Sequence, residues 1–439
     1  MTTSPIICDE SLVKPPAGDA RAIQPGAWRR LVFGFLCAYL FLYNLPTFLS
    51  LVPFLRKGYG QISDAVVPWV GKHVLRLTYE FSVEGNGSGD TTAAYIETLC
   101  LAVLAAVIAL VWWVAGLRRK AWPRVEAGLR VLVRYALGFA LVSYGMYKII
   151  PSQFPAPRLS RLTQMYGDSS PMGLLWTFMG YAKAYNIFVG LAEATSGLLL
   201  FFRRTTTLGA LLGVAVVANV VALNFCYDVP VKLYSLHLLF MAVCVAAADR
   251  HRLLNVLVLN RSAPPADIFP LTLPRRWLRV GRLVVKFVVV AYALFTPTWT
   301  SLVQLKILAK LPSQTPLYGI WDVEEFTRNA QIQAPLATDT NRFKRMIFPM
   351  PNRTYVQFMD DQTRRWPTEY GSTNHFSAVT RDDPKHKDVF TYARDQDQLT
   401  LTTQLGDDSI TIKLRRFDES KFLLLARGFH WINEAPFNR

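Results

Sequence analysis

The chain has 439 residues, of which 51% are hydrophobic and only 18% charged, with a mean hydropathy of +0.21. That is too apolar for an ordinary soluble two-domain protein and fits a polytopic membrane protein carrying a soluble appendage. The net charge of +17 does not point to nucleic acid. Its basic residues cluster in short connections between apolar runs, as in Arg118-Arg119-Lys120, Arg203-Arg204 and Arg275-Arg276, which is the bias of loops that stay in the cytoplasm.

Met1 to Arg30 is polar and carries Pro15-Pro16, Pro25 and Gly26, so residues 1–30 are expected to form a flexible cytoplasmic lead-in. Leu31 to Leu55 is too long for the core of a signal peptide, and no small-residue cleavage site follows it, which predicts an uncleaved first span. In the loop after it, the stretch from Ser63 to Leu77 has a roughly helical apolar spacing with Lys72, His73 and Arg76 interspersed, as in a helix lying in the membrane interface. The loop closes with NGSGDTT, Asn86 to Thr92. Gly87 and Gly89 permit unusual backbone angles, and the oxygens of Ser88 and Asp90 fit either a ligand-binding loop or a turn leading into a helix cap.

Further spans are predicted at about Tyr95 to Val114, Leu129 to Tyr147, Ala184 to Phe202, Leu208 to Phe225, Leu233 to Ala248 and Leu283 to Leu302. The expected fold of residues 31–311 is therefore an α-helical polytopic membrane bundle of about seven spans. With a cytoplasmic amino terminus, the Arg-rich connections lie in the cytoplasm, and an odd number of spans places the carboxyl-terminal region outside it.

Within the spans, polar groups are expensive and need a reason. Glu193 is the sharpest case, and Asn186, Gly190, Glu193 and Gly197 recur at spacings of three or four on one helix face. That face suits either an interhelical hydrogen bond or a proton or ligand site. Asn219 and Asn224 lie in the outer half of the next span, Asp228 and Lys232 in its exit turn, and His237 enters the following span from the same side. With Lys148 and Lys183 they are candidates to line one outward-facing polar pocket, in which Glu193 and His237 would carry protons. The plainer alternatives are a core histidine bonded to a carbonyl and a surface Asp228–Lys232 pair. No HxxxH or HxH spacing occurs, so no metal site is expected, and no phosphate-binding glycine motif or GxSxG is present. The five cysteines form no CxxC, which leaves them as small hydrophobes.

Residues 312–439 read as a separate domain. Gln398 to Leu405, Ser409 to Arg416 and Lys421 to Ile432 have the composition of strands separated by turns, and earlier strands are expected at Tyr318 to Phe326, Thr354 to Met359, Phe376 to Thr380 and Val389 to Arg394. An antiparallel β-barrel-like domain would leave no exposed edge.

Two resemblances add to this reading. The stretch from about Leu129 to Leu253 resembles the DoxX-like membrane proteins through GxxKI at Gly145 to Ile149, SPMGLLWTFMG at Ser170 to Gly180, FVGLAEATSGLLLFFRR at Phe188 to Arg204 and NFCYDVPVK at Asn224 to Lys232. That resemblance implies a four-helix core at residues 129–253 in a bacterial inner membrane, and a link to quinone-dependent redox chemistry. A quinone, the lipid bilayer and a redox partner protein are then the expected partners. In the β region, Gly319-Ile320-Trp321 with Arg427 in the last expected strand resembles the lipocalin arrangement, in which an arginine stacks on a first-strand tryptophan. This implies a rival function, a membrane anchor for a lipocalin-like module that binds an apolar ligand or a partner protein.

Overall fold

The computed structural model describes residues 27–49, 53–115, 122–263, 265, 275–371, 373–380 and 386–438. The expected tail up to Gly26, with Cys8, and the Arg118-Arg119-Lys120 connection lie outside the described residues. The chain divides into two compact units, Met1–Val133 and Arg134–Arg439.

The first unit contains α1 (Ala27–Leu49), α2 (Pro53–His73), α3 (Thr92–Val114) and the opening turns of α4 (Trp122–Ile149). Thr91 starts α3 as an N-cap, its side-chain oxygen accepting from the Ala94 amide at 3.2 Å. Ala38, Tyr39 and Ala105 bury the α1–α3 contact, with Phe35, Leu42 and Leu101 around them. The Tyr59 hydroxyl ties α2 to α3 by donating to Glu97 at 2.6 Å. Phe54, Ile62, Val66 and Trp69 leave an apolar face of α2 exposed.

In the second unit α4 continues, followed by α5 (Leu159–Leu162), α6 (Pro171–Tyr181), α7 (Lys183–Leu200), α8 (Thr206–Cys226), α9 (Lys232–Ala247), α10 (Arg250–Leu253) and α11 (Arg276–Gln314). Among the described residues, three helices are long and apolar enough to cross a membrane: Arg30–Leu49, Thr92–Val114 and Arg203–Cys226. A fourth crossing exists only if α9 and the segment Arg250–Val258, bent by 75°, are taken as one span. The expectation of about seven spans is thus overturned, and the reason lies in length and charge. A span needs about 20 mostly apolar residues. α9 has 16, and α7 has 18 with Lys183, Asn186 and Glu193 among them. Basic residues stud α4 (Arg124, Arg130, Arg134, Lys148), and the apolar run of α11 is interrupted by the polar, proline-bearing stretch Thr296-Pro297-Thr298-Trp299-Thr300-Ser301.

α11 leads through Thr315 to Tyr318 into the β domain, whose strands are β1 (Gly319–Arg328), β2 (Gln331–Ile332), β3 (Phe343–Met350), β4 (Arg353–Phe358), β5 (Thr363–Tyr370), β6 (His375–Ala378), β7 (Asp388–Asp395), β8 (Gln398–Leu405) and β9 (Asp408–Phe417). Among the described residues, eight of these close an antiparallel barrel, because β9 pairs back onto β1 from Ile320↔Phe417 to Arg328↔Ile410. The short β2 pairs only with the far end of β1. Side chains alternate as a pleated strand requires. Leu399, Leu401 and Thr403 of β8 and Ile410, Ile412 and Leu414 of β9 point inward. Aromatic rings fill the interior, with Phe376 stacked on Phe390 at 4.9 Å and Phe343 set edge-on between Phe326 and Phe358 at 5.2 and 5.3 Å.

The tryptophan expectation is half right. Trp321 is fully buried and its indole N–H donates to the Leu317 carbonyl at 2.8 Å. The guanidinium over its ring belongs to Arg394, 5.5 Å from the ring centroid, which also donates to the Pro316 carbonyl at 2.8 Å. Arg427 instead lies 4.0 Å from the ring of Phe437. The expected last strand, Lys421 to Ile432, does not form. A 3-10 turn (Glu419–Lys421) and the short α12 (Leu423–Ala426) occupy its start. The pairing of β9 with β1 has already used the edge that such a strand would need.

Candidate functional site

The site begins with glycine. Gly138 and Gly145 on α4 are seven residues apart, as are Gly190 and Gly197 on α7, so each pair lies on one helix face. They meet reciprocally. A Cβ on Gly145 would stand 2.6 Å from the Gly190 carbonyl oxygen, one on Gly190 2.7 Å from that of Gly145, and one on Gly197 2.7 Å from that of Gly138. Only glycine allows two antiparallel backbones to approach this closely.

Across that contact, the Lys148 ammonium, one turn along α4 from Gly145, donates at 2.8 Å to Oε2 of Glu193, one turn along α7 from Gly190, with the two side chains 7% and 3% exposed. The cation also faces the rings of Tyr144 and Phe154, at 5.6 and 5.9 Å from their centroids. Tyr144 in turn lies 6.1 Å from Tyr234 of α9. Removing two charges from water is costly unless geometry and further partners compensate, and here the pair is shielded by aromatic faces. Toward α11, the Ser152 and Ser301 hydroxyls are bonded at 2.8 Å, and Gln304 donates to the Ser152 carbonyl at 3.4 Å.

Asn186 lies seven residues before Glu193 on the buried face of α7, about 10 Å along the axis at 1.5 Å per residue. It is 1% exposed, and neither its amide oxygen nor its amide nitrogen has a hydrogen-bond partner. Asn224, buried in the last turn of α8, likewise has an unpartnered amide nitrogen. A buried polar group is normally bonded, and leaving one unmatched costs about 1–3 kcal/mol. An apolar cluster of Phe154, Leu175, Met179 and Val229, joined by Leu223 and Tyr227, packs at this end of α8.

The structure thus brings Lys148 and Glu193 into contact, and places Asn186 on the same buried helix face. It does not assemble the whole expected pocket. Asn219 is on the exposed side of α8 and Lys183 is exposed at the start of α7. Asp228 and Lys232 form a surface pair at 2.8 Å. His237 donates from Nδ1 to the Leu233 carbonyl of its own helix at 2.7 Å. Ser88 and Asp90 belong to the first unit, where the Ser88 amide donates to the Asn86 side chain at 3.0 Å and the Asp90 amide to the Ser88 hydroxyl at 3.2 Å, in consecutive turns. Among the described residues no three His, Cys, Asp or Glu side chains gather as a metal site.

Tyr144, Ser152, Ser301 and Gln304 were not singled out from the sequence. The signal that would have found the contact is the matched seven-residue glycine spacing of the two helices, with Lys148 and Glu193 each three residues beyond a glycine.

No protein family matches the chain, and no solved structure does. A stretch of it is similar to uncharacterized protein YwoB of Bacillus subtilis (strain 168), with 29% identity over 143 residues, covering 32% of this chain and 88% of that protein.

Proposed function

We propose that the chain is an integral membrane protein of DoxX-like character, and that the Lys148–Glu193 pair with Asn186 is the polar end of a slot for a small apolar molecule bearing carbonyl groups, of the quinone class. The observation that carries this reading is the Asn186 side chain, buried with donor and acceptor both unmatched on the face that also holds Glu193. An amide of that kind can bond a ligand carbonyl, and an ammonium–carboxylate pair about 10 Å away along the same helix face can hold or pass a proton at the ligand's other end. Membrane placement is supported by the three apolar helices, whose most apolar windows are only 28%, 17% and 28% buried, so that their surfaces lack a protein cover. The basic Arg203-Arg204 connection before α8 supports a cytoplasmic amino-terminal end, and three crossings, an odd number, then carry the barrel to the other side of what the DoxX-like resemblance makes a bacterial inner membrane. The rival, a ligand-binding barrel on a passive anchor, has less behind it because aromatic side chains occupy the barrel interior.

The test is extraction of bound quinone from protein purified in mild detergent, with ubiquinone and menaquinone titrated against the parent, Asn186→Leu and Glu193→Gln. Co-purifying quinone and weaker binding in both variants are expected. No bound quinone and unchanged titrations would remove the reading.

A further inference from the structure

The segment after β9 leaves the barrel at the end where the helices enter it. Phe417 pairs opposite Ile320 near the start of β1. Phe422 then packs with Phe417, Tyr318 of the α11–β1 connection and Leu159 of α5. From there the chain is clasped to itself. Arg427 donates to the Asn433 side-chain oxygen at 2.6 Å and stands over the Phe437 ring, while the Asn433 amide donates to the His430 carbonyl at 3.2 Å. What this clasp displays is apolar. Phe429, Trp431 and Ile432 are 83%, 88% and 73% exposed, and the rings of Phe429 and Trp431 lie 6.0 Å apart. Leu423 and Leu425 of α12 are exposed beside them in sequence.

Large apolar side chains held outward by an ordered clasp mark a surface that something covers. The geometry points to the bilayer itself as the cover: Phe429, Trp431 and Ile432 seat in the headgroup boundary of the membrane. Tryptophan with an aromatic neighbour is the composition of that boundary, since the indole has an apolar body and one polar N–H. This barrel end is the one joined to α11, whose Val284, Phe287, Val288 and Phe295 are likewise exposed and apolar. Asp418, Glu419 and Glu434 accompany Lys421 and Arg427 in this segment, so the attraction is apolar rather than electrostatic and zwitterionic lipid suffices. This inference rests on the membrane reading above.

The full chain, reconstituted as single copies in nanodiscs of phosphatidylcholine brominated near the top of the acyl chain, tests it by tryptophan quenching. The difference between parent and Trp431→Phe isolates the emission of Trp431. Strong quenching of that component, insensitive to high salt and weaker when the bromines sit at the chain end, is expected, and Phe429→Ser with Ile432→Ser should reduce it. Quenching of the other tryptophans with Trp431 unaffected would overturn the inference and leave the membrane reading standing. If no tryptophan were quenched, both would fall. Trp431 free of lipid yet shielded from iodide in native membranes would assign the surface to a protein partner and also overturn it.

Discussion

Lys148 and Glu193 form an ion pair at 2.8 Å that is almost wholly withdrawn from solvent, and the two helices can bring it together because Gly145 and Gly190 face each other one turn away. Its contribution to stability and the binding role proposed for it are separable by mutation.

Either charge alone should be worse than none. Lys148→Met or Glu193→Leu leaves a buried charge without its partner and should cost about 3–5 kcal/mol. The double variant should recover to within about 1 kcal/mol of the parent while losing quinone binding. Chemical unfolding of the helical signal in one detergent, run as a double-mutant cycle, measures both.

The glycine contact predicts opposite signs for the same substitution. Gly190→Ala places a methyl 2.7 Å from a backbone oxygen and forces the helices apart, at about 1–3 kcal/mol. Gly128→Ala, in α4, meets no atom within 4 Å and should stabilise by about 0.4–1 kcal/mol. Thermal unfolding of the two variants side by side decides this.

In the barrel, the arginines should differ. Trp321→Ala removes a fully buried ring and should cost about 3–5 kcal/mol. Arg394→Ala loses a cation–π contact and a charged donor, about 1–2 kcal/mol. Arg427→Ala should leave the near-ultraviolet melting of the barrel unchanged.

Alkali should probe Tyr370. Burial pushes its phenol above the ordinary value, so the folded state holds the proton more tightly than the unfolded chain. Its stabilising contribution is complete below pH about 10, where free tyrosine begins to ionise, and is lost as pH rises beyond that. Tyr370→Phe should shift the alkaline unfolding midpoint upward, followed by circular dichroism with tyrosinate absorbance.

Much of the barrel was legible because β8 and β9 show plain two-residue alternation bounded by turns. β3 and β5 were missed, since Lys344-Arg345 and Pro349 in one and Arg364-Arg365 and Pro367 in the other mask the pattern that their inward residues keep. KFLLLARGFHWI has strand composition, but strand formation depends on a free edge, and barrel closure is a long-range event that local composition does not encode. The spans were overcounted because apolar runs such as α9 were weighed by hydrophobicity before length. Lys148 and Glu193 were both singled out, yet their pairing across 45 residues is fixed by backbone approach at glycine, which shows in the sequence only as the matched spacing of Gly138 with Gly145 and Gly190 with Gly197.

The connection from α11 to β1 is only four residues long, and each is fastened. Thr315 is buried with its hydroxyl on the Leu311 carbonyl, Pro316 accepts from Arg394, Leu317 accepts from Trp321, and the Tyr318 amide donates to Thr315 at 3.0 Å. Such a joint has no slack to act as a swivel. The direction of the 39-residue α11 is thereby set by the barrel wall it enters.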